Sequence, residues 1–60
     1  MPRLKRIRKQ RKLSLKEVAE RLGVSAQAVR YLEVHGIKKL STAKKYAEAL
    51  ECSPFELVEL

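Results

Sequence analysis

The chain has no tryptophan, one cysteine, one histidine, two glycines and two prolines in 60 residues, and all seven of its acids are glutamates. Each shortage removes a class of protein. With Cys52 alone, no disulfide closes within the chain, and a secreted stapled scaffold or a zinc site of about four ligands lacks its parts. A single histidine, His35, offers little to metal chemistry or acid–base catalysis, and no nucleophile–base pair is apparent. No enzyme, metal or cofactor is therefore expected. No apolar run approaches the roughly 20 residues of a membrane span, and the opening lacks the charged-then-apolar pattern of a signal peptide. The expectation is a cytoplasmic protein with no membrane partner. No run of alternating polarity is long enough for a convincing strand. Sixty residues allow at most one domain, 1–60, and so short a chain buries only roughly 60% of its unfolded surface.

What the chain has in excess is positive charge. Fourteen Lys and Arg against seven acids leave +7, which points to a polyanionic partner, nucleic acid before membrane surface. The charge is unevenly spread. Residues 1–16 hold eight bases and no acid, while residues 48–60 hold four acids and no base. One end reads as built to meet phosphate and the other to avoid it.

Helix signals recur along the whole chain. Pro2 suits a helix start, and Leu4 and Ile7 share a face, predicting a first helix over 3–11. Ser14 and Glu17 form an S-x-x-E capping box with Leu13 and Val18 at the staple positions. Leu15, Val18, Ala19 and Leu22 follow as one apolar stripe, and Gly23 ends this second helix. Ser25 is the expected N-cap of a third helix over about 25–34, with Ala28, Val29 and Leu32 inward and Gly36 at its close. After a short basic loop, Ser41 is expected to cap a fourth helix with Ala43, Tyr46, Ala47 and Leu50 inward. A second capping box, Ser53-Pro54-Phe55-Glu56, opens a short fifth helix.

The second and third helices are joined by only Gly23-Val24-Ser25. A joint this tight forces a steep crossing, as in a helix-turn-helix. The third helix then offers a polar face of Gln27, Arg30 and Tyr31, with Ser25 and Ala26 at its start. A helix fits the major groove, where amide and guanidinium groups read purine edges.

At this point the chain resembles the lambda-repressor-like helix-turn-helix proteins, the family of phage repressors and Cro. Leu4, Ile7 and Arg8 look like that family's first helix. Residues Leu13 through Ser25 look like its second helix and turn. Val29, Leu32, Glu33 and Gly36 match the third helix and its exit, and Ala47-Glu48-Ala49-Leu50 with Ser53-Pro54-Phe55-Glu56-Leu57 match the last two. The resemblance implies an all-α, five-helix DNA-binding domain that regulates transcription, probing double-stranded DNA with its third helix. It implies base contacts from Gln27, Ala26, Arg30 and Tyr31, and phosphate contacts from Ser14, Lys16, Ser25, Lys38 and Lys39. It pairs Arg8 with Glu33 as a partly buried ion pair. In one departure, many members carry a glutamine directly after the second helix's cap that clamps a phosphate, whereas this chain has Leu15.

Two other readings stand beside this one. Val24-Ser25, Arg30-Tyr31-Leu32-Glu33 and Gly36-Ile37 are also similar to the mercury-resistance-regulator type of winged helix, in which a short hairpin wing follows. The same fold also serves as a protein–protein interaction module. One recognition helix reads few base pairs, so a pseudo-palindromic operator and two copies are expected. The expected assembly is a weak homodimer formed on DNA, through Phe55, Val58 and Leu60 in the fifth helix. Tyr46 and Cys52 are expected in the core, Lys44 and Lys45 in solvent, and His35 in an exposed loop with no role.

Overall fold

The computed structural model describes residues 2–59. Four α-helices run in order: α1 (Arg3–Gln10), α2 (Leu15–Leu22), α3 (Ala26–His35) and α4 (Leu40–Leu50). A single 3-10 turn, Pro54–Glu56, follows. Helix α2 packs on α3 and α4, and α1 packs on α3.

Local chemistry explains most of the boundaries. The first capping box forms as expected: Ser14 Oγ accepts from the Glu17 N–H at 3.0 Å, and Glu17 Oε1 accepts from the Ser14 N–H at 2.9 Å. The side chain of Ser25 caps α3 by accepting from the Ala28 N–H at 3.1 Å. Helix α2 ends on Gly23 in the left-handed region, where the Val24 N–H reaches back to the Ala19 carbonyl at 3.0 Å. The same reach-back closes α1, from Leu13 to Arg8, and α4, from Cys52 to Ala47. There the left-handed residues are Lys12 (φ 58°) and Glu51 (φ 55°), where glycine would be easier.

Each helix turns its apolar stripe inward. Leu4 and Ile7 of α1, Val18 and Ala19 of α2, Val29 of α3, and Ala43, Tyr46, Ala47 and Leu50 of α4 are buried together. Cys52 is half-buried against this core. Ile37, in the α3–α4 linker, is fully buried as well. It forms an isolated parallel bridge with Val58, and its carbonyl accepts from the Glu59 N–H at 2.7 Å. The linker read as a basic loop thus contains one of the largest core side chains.

Three expectations need correction. The fifth helix is only a 3-10 turn. Its capping box does form, with Glu56 Oε2 accepting from the Ser53 N–H at 2.9 Å. One turn later, however, the chain is drawn out to pair with Ile37, which leaves no room to propagate a helix past its costly nucleus. Ser41 does not cap α4. The N-cap is Lys39, with no side-chain bond, because the helix begins at Leu40, just past the pinned Ile37. The hairpin wing is also ruled out, since the chain after α3 continues into α4.

Four arginines hold these parts together. Arg11 Nε donates to the Leu50 carbonyl at 3.1 Å and its Nη2 to the Glu51 carbonyl at 3.3 Å. Arg21 Nη1 donates to the Ala49 carbonyl at 2.8 Å. Two guanidinium groups thus meet the negative end of α4, where Glu51 adds a further negative charge. Arg3 Nη1 donates to the Phe55 and Val58 carbonyls at 3.4 and 3.2 Å. Arg8 is paired with Glu33. Three of the eight bases in residues 1–16 are therefore engaged within the fold, and two of them meet the acidic C-terminal segment. The charge asymmetry of the sequence is not a spatial separation of two ends.

Candidate nucleic-acid interface

The interface is built on the face of α3 that the core does not use. Val29 and Glu33 point inward, with Ala28 and Leu32 at the margin. Helical periodicity then sends Gln27, Arg30 and Tyr31 outward, and all three are exposed, as is Ala26 at the first turn. The structure brings these four residues onto one exposed surface.

The back of this helix is held by the Arg8–Glu33 pair. Arg8 Nε donates to Glu33 Oε2, and its Nη2 donates to Oε1 at 3.2 Å. Its Nη1 donates to the Leu13 carbonyl at 2.8 Å. One guanidinium therefore ties α1, the α1–α2 turn and α3 together. The side chains are 11% and 6% exposed, so the pair sits largely out of water. A buried bidentate pair fixes direction as well as distance, and so sets how α3 is presented.

Around α3 the structure places the residues expected to meet phosphate. Ser14 and Ser25 are exposed at the N-termini of α2 and α3. Each hydroxyl accepts one backbone N–H, and that of Ser25 keeps its own proton to donate to a phosphate oxygen. The positive end of each helix dipole adds to this. Lys16 is exposed on α2, and Lys38 and Lys39 are exposed on the linker beyond α3. Glu17 works the other way. It stays ionised beside Ser14, because the Ser14 backbone N–H and hydroxyl hold its carboxyl below the usual glutamate range.

Two groups escaped the reading of the sequence. A cleft of about 370 Å³ between α1 and α3 is lined by Lys5, Lys9 and Arg30, with the Arg8–Glu33 pair in its wall. Lys5 and Lys9 thereby add positive charge beside the recognition face. Their i, i+4 spacing on α1 was visible, but its orientation toward α3 was not. Leu15, standing where a polar clamp is common, is half-buried in the same cleft and gives it an apolar wall. The second group is His35, which is the last residue of α3 and not part of a loop.

The residues expected at a dimer contact are divided. Phe55 is 70% exposed, whereas Val58 keeps only 9% of its surface because it packs against Ile37. Val58 has little left to offer a partner, which corrects its expected place in such a contact. Leu60 lies outside the described residues.

Among the described residues, no cluster of three or more His, Cys, Asp or Glu side chains could hold a metal ion, and no helix is long and apolar enough to cross a membrane. No curated protein and no solved structure gives a significant match to the chain. A family model described as helix-turn-helix, in contrast, matches residues 4–57, from the first core residue of α1 to the last residue before the Ile37–Val58 bridge. The tight α2–α3 joint, the polar outer face of α3 and this match agree: the chain belongs to the lambda repressor and Cro-like helix-turn-helix family of DNA-binding transcription regulators.

Proposed function

We infer that the protein binds specific sequences in double-stranded DNA, as a regulator of the repressor or Cro kind, by laying α3 in the major groove. The observation that carries this reading is the exposed set of Gln27, Arg30 and Tyr31 on a helix whose opposite face is locked by the Arg8–Glu33 pair. Gln27 reads a base, an adenine through its amide, and Arg30 takes a base or a phosphate. Ser14, Lys16, Ser25, Lys38 and Lys39 set the register on the backbone. The whole of 1–60 acts as one reading unit, working in the cytoplasm alongside DNA.

Selection of bound duplexes from a random pool tests the reading directly. A defined motif is expected, with two half-sites about one helical turn apart. Gln27→Ala should relax preference at one base position and cost about 1–3 kcal/mol if its contact is bidentate. Lys38→Ala should instead weaken all sequences alike and flatten the salt dependence. Binding that ignores salt and selects no motif would move the protein to the class of protein-binding modules.

Two copies occupy the operator, and Phe55, 70% exposed, offers an apolar group for their contact. A patch this small falls below the roughly 1,200 Å² of stable interfaces, so pairing occurs on DNA. Cooperative filling of a palindrome that is lost in Phe55→Asp supports this assembly. Independent filling of the two half-sites by the unaltered protein refutes it.

A further inference from the structure

His35 stands one helical turn beyond Tyr31, and the two rings stack. Their centroids lie 4.0 Å apart and their planes differ by 19°. His35 Nδ1 also lies 3.0 Å from the Tyr31 carbonyl oxygen. A carbonyl only accepts, so in this bond Nδ1–H is the donor. The imidazole is therefore fixed twice, by a hydrogen bond to the backbone of Tyr31 and by contact with its ring. Tyr31 remains 59% exposed, on the same face as Gln27 and Arg30. A cleft of about 480 Å³ is lined by the stacked pair together with Lys38, Lys39 and Thr42.

An exposed tyrosine in a helix has two comfortable χ1 wells. Only a rotamer that lays the phenol over the imidazole makes the stack, so His35 selects it. The ring is then already in place when a ligand arrives, and the entropy cost of immobilising it falls on folding and not on binding. Tyr31 lies between the base-reading residues and the lysines of the linker. Its direction thus fixes where its hydroxyl meets the edge of a base.

We propose that His35 is a positioning residue for DNA reading: it holds the Tyr31 ring in one orientation, and Tyr31 sets base preference at one position of each half-site. The proposal rests on the reading of α3 as the recognition helix. It does not depend on how the two copies pair.

The free protein and its DNA complex test separate parts of this. There is one histidine in the chain, so its ring protons are assignable at once by NMR. In the unaltered protein they should be shifted upfield by the tyrosine ring current, and Tyr31→Ala should return them to ordinary positions. Binding-site selection is then run on the unaltered protein, Tyr31→Ala, His35→Ala and His35→Phe, with thermal unfolding as a control. His35→Ala should relax the base position that Tyr31→Ala relaxes, with about a 3- to 10-fold loss of affinity for the selected site. His35→Phe, which restores a stacking ring without the hydrogen bond, should recover that preference. A merely structural His35 would change the melting temperature and leave the motif alone. An unshifted histidine, or an unaltered motif in His35→Ala, overturns the proposal. So does a His35→Phe protein that behaves as His35→Ala does. If the unaltered protein selects no motif, the DNA reading fails and the proposal falls with it, whereas a motif that survives His35→Ala removes the proposal alone.

Discussion

Replacing Glu33 with glutamine probes the internal contact on which the presentation of α3 depends. The amide keeps the shape and one acceptor but removes the charge, leaving the Arg8 guanidinium largely out of water without a counter-ion. How much this costs depends on exposure. A solvent-exposed pair contributes about 0–1 kcal/mol, whereas removing one partner of a buried pair costs about 3–5 kcal/mol. At 6% and 11% exposed, Glu33 and Arg8 belong to the buried kind. Arg8 keeps its bond to the Leu13 carbonyl, and glutamine still accepts one bond, so the lower end of that range, about 3 kcal/mol, is expected. A domain of this size has about 3–9 kcal/mol in total, and 1 kcal/mol moves its melting temperature by about 4–8 °C. Glu33→Gln should therefore melt at least 10 °C lower, by roughly that scale. Urea unfolding followed by circular dichroism gives the free energy, and a cycle with Arg8→Met isolates the coupling. The double variant should recover much of the loss, because neither charge is then stranded. A Glu33→Gln protein within about 0.5 kcal/mol of the original, the scatter of ordinary surface changes, would refute the argument.

Three further outcomes follow from the backbone and from Cys52. Gly36 has φ +87° and ψ 158°, and a Cβ there would meet Glu59 Oε2 at 3.1 Å. Gly36→Ala should cost about 1–3 kcal/mol, more than Gly23→Ala, where a Cβ meets nothing within 4 Å; denaturant midpoints rank the two. Lys12→Gly should stabilise the fold by up to about 1.6 kcal/mol, since the left-handed penalty relieved is about 1–2 kcal/mol and the looser unfolded chain takes back about 0.4–1; a lower melting temperature would count against this. Burial first, and Glu56 second, push the Cys52 thiol above its ordinary value of 9.0. Below that pH it holds less thiolate than a free thiol, so at pH 8 a disulfide reagent should modify it more slowly in the folded protein than in urea.

What could be read from the sequence was what is satisfied within a few residues. Both capping boxes, Gly23 as a stop and the four-residue stripe of α4 are local devices, and all of them form. The Arg8–Glu33 pairing came from family resemblance, since nothing at a separation of 25 residues announces itself in spacing. The misreadings share one cause. Ser41 carries a cap signal and the segment after Ser53 a helix signal, but Ile37 and Val58 pair across the chain and reposition both. Arg3, Arg11 and Arg21 look in sequence like charge for a partner. Their bonds to backbone carbonyls 28 to 55 residues away leave no local trace. His35 illustrates the opposite case. Its i, i+4 spacing from Tyr31 was there to be used, but a lone histidine invites a search for metals and protons before one for a stacking partner.

The contacts between residues near either end of the described chain have a consequence for how it opens. The Arg3 backbone N–H donates to Glu59 at 3.1 Å, its guanidinium holds the 3-10 turn, and Glu59 is tied in turn to Ile37. Helix ends normally fray independently, each at its own small cost. Here the first turn of α1 and the segment after Ser53 form a single latch, so releasing one strips the other of its partners. Amide hydrogens in the two segments should therefore exchange at matching rates, as one cooperative unit, while the α2–α3 pair stays closed.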